Sequence, residues 1–486
     1  MTLRTQFSLL CLAASFALSG CVAGPNYQRP AALATAVPPP AAFKELPPPN
    51  PPNGTWKQAQ PADAALKGNW WELYHDPQLN SLEEKVSVSN QTLKAAYEQY
   101  LQAHEQVKVA RANYYPTLSA GPSVSREKTS ANEPSAVVGK TYSAYEISGQ
   151  ASWQPDLWGQ VRRTVEQARA NSQASAADLA NVELSIRTEL AQDYFQMRGL
   201  DLQKQLLDRT IQADSDLLDL TQTRFKGGVA TDVDVAQAQT QLETVEAQDI
   251  DVGVARAQFE HAIATLVGTP ASQFSLDFAP LNIDLPSIPA GVPSDLLERR
   301  PDIAGAERRT QAANAQIGIA ISAYYPNVQI GGSGGFESDN AGTWVQGPSS
   351  LWSLGASATE LLFDAGRRHA LTNQARDAYE AQTATYRQSV LSAFQEVEDN
   401  LAALRILNDE SGAQARAVNS ARYSLQLSTN RYKGGVTTYL EVLTAQTTQL
   451  SDEITQANIT TRQFIASVQL VNALGGGWST SQLPKF

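Results

Sequence analysis

The hexapeptide Arg224-Phe225-Lys226-Gly227-Gly228-Val229 returns as Arg431-Tyr432-Lys433-Gly434-Gly435-Val436, 207 residues further along a chain of 486. The same offset carries Leu266-Val267-Gly268 onto Ala473-Leu474-Gly475. An offset of 210 carries Ala112-Asn113-Tyr114-Tyr115-Pro116 onto Ser322-Ala323-Tyr324-Tyr325-Pro326. The chain is therefore two copies of one unit, and that repeat constrains the architecture before any single element does. Each Gly-Gly pair ends one helix-like segment and opens another. Each unit thus contains a helical hairpin whose turn uses glycine's access to positive φ.

The order of elements recurs. In the first repeat, residues 61–294, a helix is expected over 78–114, started by Asp76-Pro77 and stopped before Pro116. Two runs of period two follow, over about 117–128 and 141–155. Leu118, Ala120, Pro122 and Val124 alternate with small polar residues in one, and Tyr145, Ile147, Gly149, Ala151 and Trp153 in the other. From about 160 to 225 the period turns helical: Val161, Val165, Ala168, Ser172, Ser175, Leu179, Val182 and Ile186 step by four and three. After the turn, 231–268 continues with Leu242, Val245, Val252, Ala255, Phe259 and Leu266. A proline-rich connector, Pro270 to Pro293, leads to the second repeat at 295–474. There a helix over 295–324 precedes strands at about 327–338 and 350–360, long helices over 367–432 and 437–474, and a tail, 475–486. A helix of some 65 residues spans roughly 100 Å. That is too long for a compact domain, and the spacing indicates coiled-coil packing.

The N-terminus reads as an export signal. Arg4 precedes an apolar run from Phe7 to Leu18, and Leu18-Ser19-Gly20 leads into Cys21. This looks like a bacterial lipobox, with residues 1–20 a lipoprotein signal peptide and Cys21 the acylated mature N-terminus. Residues 21–60, with Pro38-Pro39-Pro40 and Pro47-Pro48-Pro49, then read as an extended tether between lipid and body, with plain disorder the alternative. The two cysteines, Cys11 and Cys21, leave the body without a disulfide framework.

A net charge of −12 argues against a nucleic-acid partner. His75, His104, His261 and His369 show no metal-ligand spacing, and no phosphate loop, nucleophile elbow or dinucleotide fingerprint is present. Neither an enzyme nor a metal or cofactor protein is indicated, beyond a covalent lipid on Cys21. No later stretch offers the 18 or so consecutive apolar residues of a spanning helix.

The strands carry more. Each is about ten residues, the length a tilted strand needs to cross a bilayer, and each alternates as a wall between lipid and water does. Four strands cannot close a barrel, and an open edge in lipid leaves backbone groups unpaired. The smallest outer-membrane barrels have about 8 strands, so the wall must be shared between chains; three would supply about twelve. The competing reading is a soluble antiparallel sheet at one end of a helical body.

Several motifs together resemble the TolC/OprM-like outer-membrane efflux proteins, in the lipoprotein, NodT-like branch. They are the lipobox at Cys21, Trp70-Trp71 with Asp76-Pro77-Gln78-Leu79, and Leu157-Trp158-Gly159 before Arg162-Arg163. Arg299-Arg300-Pro301-Asp302-Ile303, Tyr115-Pro116 and Tyr325-Pro326, Phe363-Asp364-Ala365-Gly366-Arg367-Arg368 and the two Lys-Gly-Gly-Val turns complete the set. The resemblance implies a mainly α chain with a membrane β-barrel: a homotrimer with a twelve-stranded barrel in the outer membrane and a long helical coiled-coil barrel crossing the periplasm. It implies a passive exit duct that meets a periplasmic adaptor and an inner-membrane pump of the resistance-nodulation-division type. It also implies that Gly227, Gly228, Gly434 and Gly435 are the tips where the adaptor docks. Asp232, Asp234 and Glu441 just beyond are candidate gate acids, although Thr444 stands where a second acid of the last helix is often found. Their alternative role is to suit helix N-termini. Arg224 and Arg431 either pair with those acids or sit at helix C-termini. Trp153, Trp158 and Trp352 lie at strand ends, where interfacial aromatics gather, and core packing is the competing reading. The duct of a type I protein-secretion system has the same fold, and a periplasmic coiled-coil adaptor is the reading from a different class.

Overall fold

The structure, a computed structural model, describes residues 22–33, 40, 42–45, 68–132, 139–288 and 295–485. Cys21, the signal segment 1–20 and most of 34–67 lie outside the described residues.

The predicted first helix is two. α1 spans Pro77–Ser89 and α2 spans Gln91–Ala112, with Asn90 extended between them. Asp76 caps α1 by accepting from Gln78 N and Leu79 N. Asn90 breaks the run because its amide serves two helix ends at once. Its Oδ1 accepts from Leu93 N at 2.9 Å, and its Nδ2 donates to Leu266 O at 2.8 Å. Strands β1 (Thr117–Lys128) and β2 (Thr141–Trp153) follow, then helices α3 (Gln160–Lys226) and α4 (Asp232–Leu266). The second unit repeats this order: a short helical turn Leu296–Arg299, α5 (Pro301–Ser322), β3 (Asn327–Ser338), β4 (Ser350–Thr359), α6 (Arg367–Lys433) and α7 (Tyr439–Ala473). Its expected helix 295–324 is likewise interrupted, at Arg300, whose extended backbone precedes Pro301. β2 stops at Trp153 rather than 155 because the chain turns there into the α3 cap. Asp156 accepts from Val161 N at 2.8 Å and Arg162 N at 3.0 Å.

α3 and α6 have 67 residues each and α4 and α7 have 35 each. Each long helix is flanked by α2 or α5 near the strands and by α4 or α7 toward the turn. Within each unit the same close backbone approach recurs, at the offsets of the repeat. Gly268 (φ +70°) lies where a Cβ would come 2.4 Å from Ser89 O; Gly475 (φ +89°) lies where one would come 2.1 Å from Arg299 O. Only glycine permits either approach. The predicted stripe on α3 is confirmed at Val161, Val165, Ala168, Ser172 and Ile186, all buried. A second buried row, Ala170, Ala174 and Ala177, escaped the sequence reading because alanine gives little periodic signal. It exists because α3 is gripped on more than one side, by α2 and by α5.

The main core lies midway along the body. Tyr74 packs on Phe195 (ring centroids 4.8 Å apart) and Phe195 on Phe464 (4.9 Å), with Trp70 and Trp71 edge-on alongside. The connector is pinned to this level. Asp201, fully buried, binds Arg198 at 3.0 Å and Arg256 at 2.6 Å and accepts from Ala279 N. The start of the supposed tether is also docked. Arg163, 3% exposed, donates to Ala23 O, Gly24 O and Asn26 Oδ1, and Tyr27 donates to Glu307. Residues 22–33 are therefore a strap on the helices rather than a free spacer, because their own carbonyls are held by a buried cation.

Candidate functional site

The two ends of the body are the candidate sites. At one end the strands form a single antiparallel sheet in the order β1-β2-β3-β4. Register sets Leu118 opposite Ala151, Val124 opposite Tyr145, Ile147 opposite Phe336 and Gly334 opposite Trp352, so one face is apolar across all four strands. The other face carries Ser123, Glu146, Gln150, Ser333 and Ser353. Among the described residues no second layer packs on the apolar face, where only Trp344 meets Tyr145 near the loop end: Leu118 is 80% exposed, Trp352 82% and Leu354 77%. A sheet meant for water would pack that face on a second layer. Trp153 Nε1 donates to Tyr114 O and Trp158 Nε1 to Pro326 O, with Trp158 stacked on Tyr325, so both tie the sheet to the helices. Trp352 stands near the loop end. No described helix is long and apolar enough to cross a membrane.

At the other end, roughly 100 Å away along α3, are the glycine turns. Of each pair only the second glycine is left-handed, Gly228 at φ +71° and Gly435 at +75°. Gly228 N donates to Phe225 O and Val229 N to Arg224 O; Gly435 N donates to Tyr432 O and Val436 N to Arg431 O. This bond pair closes the carbonyl ends of both long helices identically.

The residues around the turns are not identical in use. Asp234 closes a capping box: its carboxylate accepts from Thr231 N and Thr231 Oγ1, each at 2.8 Å, and Thr231 Oγ1 accepts from Asp234 N. Glu441, its counterpart, forms no such box and lies 3.4 Å from Arg431 in an exposed pair. Asp232 is exposed at the first turn of α4. Among the described residues Arg224 pairs with no acid. Its Nη1 donates to Tyr432 O at 2.8 Å and Lys433 O at 3.2 Å, and its guanidinium lies 4.7 Å from the centre of the Tyr432 ring. It therefore sits at the C-terminus of the other hairpin's helix, where free carbonyls and the dipole favour a cation.

Two residues were missed from sequence. Tyr432 and Tyr439, 2% and 1% exposed, pack against Leu217 and Ala238 of the first hairpin, and Tyr432 OH is 3.0 Å from Thr221 Oγ1. The available signal was the repeat itself: Tyr432 replaces Phe225, which is 44% exposed.

The family model for outer membrane efflux proteins matches residues 82–269 and 292–476. The toluene efflux pump outer membrane protein TtgC of Pseudomonas putida is 31% identical over 478 residues, covering 97% of this chain and 96% of its own. The pyoverdine export outer membrane protein OpmQ of Pseudomonas putida is 30% identical over 440 residues, covering 88% and 92%. Among solved structures, the outer-membrane channel OprN aligns with a TM-score of 0.84 at 28% identity, over 94% of this chain and 100% of that one. The open state of the Neisseria gonorrhoeae MtrE outer membrane channel aligns with a TM-score of 0.81 at 27% identity, over 95% and 99%. An uncovered apolar sheet on a helical body of this length, and a match running almost end to end, place the chain in the outer membrane efflux protein family.

Proposed function

We propose that this protein is the outer-membrane exit duct of a tripartite efflux pump and acts as a homotrimer. The observation that carries the trimer is the sheet. β1 and β4 are open edges, and an unpaired backbone group in hydrocarbon costs several kcal/mol. Pairing β4 of one copy with β1 of the next removes every edge at three copies, giving twelve strands with the apolar face to lipid and the Ser- and Gln-rich face to water. The helices continue the wall through the periplasm, with the glycine turns at the inner end as the docking point for an adaptor that links the duct to an inner-membrane pump. Asp232, Asp234, Glu441, Arg224 and Arg431 surround that opening and set its width and charge. A lipid on Cys21 anchors the protein. The strap 22–33 runs from that cysteine against Trp158, at the foot of the sheet, which is the level of the membrane surface.

Relatives are named for toluene, solvent and antibiotic efflux and for pyoverdine export. That spread supports a passive conduit for small molecules that leaves selection to the pump. The test is the purified full chain in a planar bilayer, with cross-linking between β1 and β4. Conductance and a cross-linked trimer are expected; a non-conducting monomer overturns the reading.

A further inference from the structure

One polar cluster serves neither the helix ends nor the connector. Asp214 on α3 is 1% exposed and Gln446 on α7 is 5% exposed, in the contact between the two hairpins. Gln446 Nε2 donates to Asp214 Oδ1. The pair's other two oxygens, Asp214 Oδ2 and Gln446 Oε1, are buried without a hydrogen-bond partner among the described residues. An ionised carboxylate and an amide oxygen are both acceptors, so the two have nothing to share. A single proton on Oδ2 changes that. The acid then donates to Gln446 Oε1 while accepting from Gln446 Nε2, and both orphaned atoms are satisfied by one hydrogen.

The surroundings favour the proton. Burial is the main influence on the Asp214 carboxyl and pushes it up to about 6; the nearby Gln241 amide, then Gln446, act the other way, but Gln241 does not reach hydrogen-bonding geometry and Oδ2 keeps no donor among the described residues. The facing group from α4 is Gln241, and from α7 they are Gln446 and the Tyr439 phenol. Tyr432 of α6 lies beside Tyr439. On α3 itself, Asp216 and Asp219 are exposed. No cation is among the groups that act on the carboxyl.

We propose that Asp214 and Gln446 form a proton-operated latch between the two hairpins, fastened when one proton sits on Asp214 Oδ2 and loosened when it leaves. The functional consequence rests on the reading that these hairpins form the inner end of the duct. Parting the hairpins exposes Asp214 to water and returns it toward its ordinary value of 3.8. The packed arrangement thus binds the proton more tightly, by roughly 100-fold for a change from 3.8 to about 6. By linkage, the latch's stabilisation is full below about 3.8 and is lost as pH rises through about 6.

Asp214→Asn is the test, because its NH₂ takes the place of the acid O–H and donates to Gln446 Oε1 at any pH. Conductance of the full chain in planar bilayers is expected to rise between pH 4 and pH 7. In Asp214→Asn it is expected to stay near its acid level. Infrared difference spectra are expected to show a protonated-carboxyl stretch at pH 5 that is absent at pH 8 and missing from the variant. An unaltered pH profile in Asp214→Asn, or no such band at pH 5, overturns the latch. A chain that conducts at no pH overturns the duct reading instead, and the infrared band still decides the latch.

Discussion

Removing the Arg224 side chain, as in Arg224→Ala, separates two accounts of what holds the inner tip. Arg224 spans the hairpins: its Nη1 is shared between two carbonyls of α6, counting as one charge-assisted bond, and its guanidinium lies over Tyr432. Hydrogen bonds to a charged group contribute about 1.5–3 kcal/mol, and an exposed cation–π contact about 0.5–1. The Lys433 carbonyl region is at the surface and regains water when Arg224 is lost, so the lower part of the range applies. The expected loss is about 2 kcal/mol of contact between hairpins, or about 30-fold in an equilibrium between packed and parted tips. Arg431→Ala is the control. Its pair with Glu441 is 3.4 Å long, with side chains 56% and 49% exposed. Exposed pairs of this kind are worth about 0–1 kcal/mol. Single-channel recording in planar bilayers reads both variants. Arg224→Ala is expected to lengthen conducting episodes by tenfold or more, and Arg431→Ala to change them by less than about fivefold. If Arg431→Ala matches or exceeds Arg224→Ala, the assignment of the tip contact to Arg224 is wrong.

Four further substitutions have definite outcomes. Asp201→Asn leaves Arg198 and Arg256 without their buried partner and is expected to cost about 3–5 kcal/mol, seen as a lower unfolding midpoint of the detergent-solubilised protein. Arg163→Met strips the donors from Ala23 O, Gly24 O and Asn26 Oδ1, so hydrogen exchange in residues 22–33 is expected to speed up at least tenfold while the core does not change. Gly335→Ala sets a Cβ 2.1 Å from Ile147 O and is expected to abolish assembly in the outer membrane. Gly149→Ala, where the closest atom would be 3.8 Å away, is expected to leave it intact on a heat-modifiability gel.

What the sequence made legible is what repeats or alternates. Both glycine turns, the two long helices and the four strands follow from periodicity and an internal echo, and their bounds fall within a few residues of the structure. What it concealed depends on single side chains reaching across the fold. Asn90 interrupts a run that reads as one helix because its amide is shared between two distant ends. The strap at 22–33 reads as tether because proline content is local, whereas Arg163, which holds it, lies 140 residues from Ala23. Asp214 and Gln446 sit 232 residues apart, and nothing in their neighbourhoods marks either as buried.

The most informative departures are those between equivalent positions. Asp234 is spent on a capping box that fixes the start of α4, whereas Thr438 makes no side-chain cap and Glu441, the counterpart of Asp234, has only its exposed pair with Arg431. Phe225 faces outward where Tyr432 faces the first hairpin. Both turns close with the same backbone bonds, but only the first adds a side-chain cap, and the second is held further by what the first supplies: Arg224 on its carbonyls, Thr221 on Tyr432, and Asp214 on Gln446. If cross-hairpin bonds are the restraint, loosening any of them frees α6 and α7 while α3 and α4 keep their turn. Hydrogen exchange on the Arg224→Ala variant distinguishes this from a symmetric opening. Faster exchange confined to residues 428–445 supports it, and equal acceleration in 221–238 refutes it.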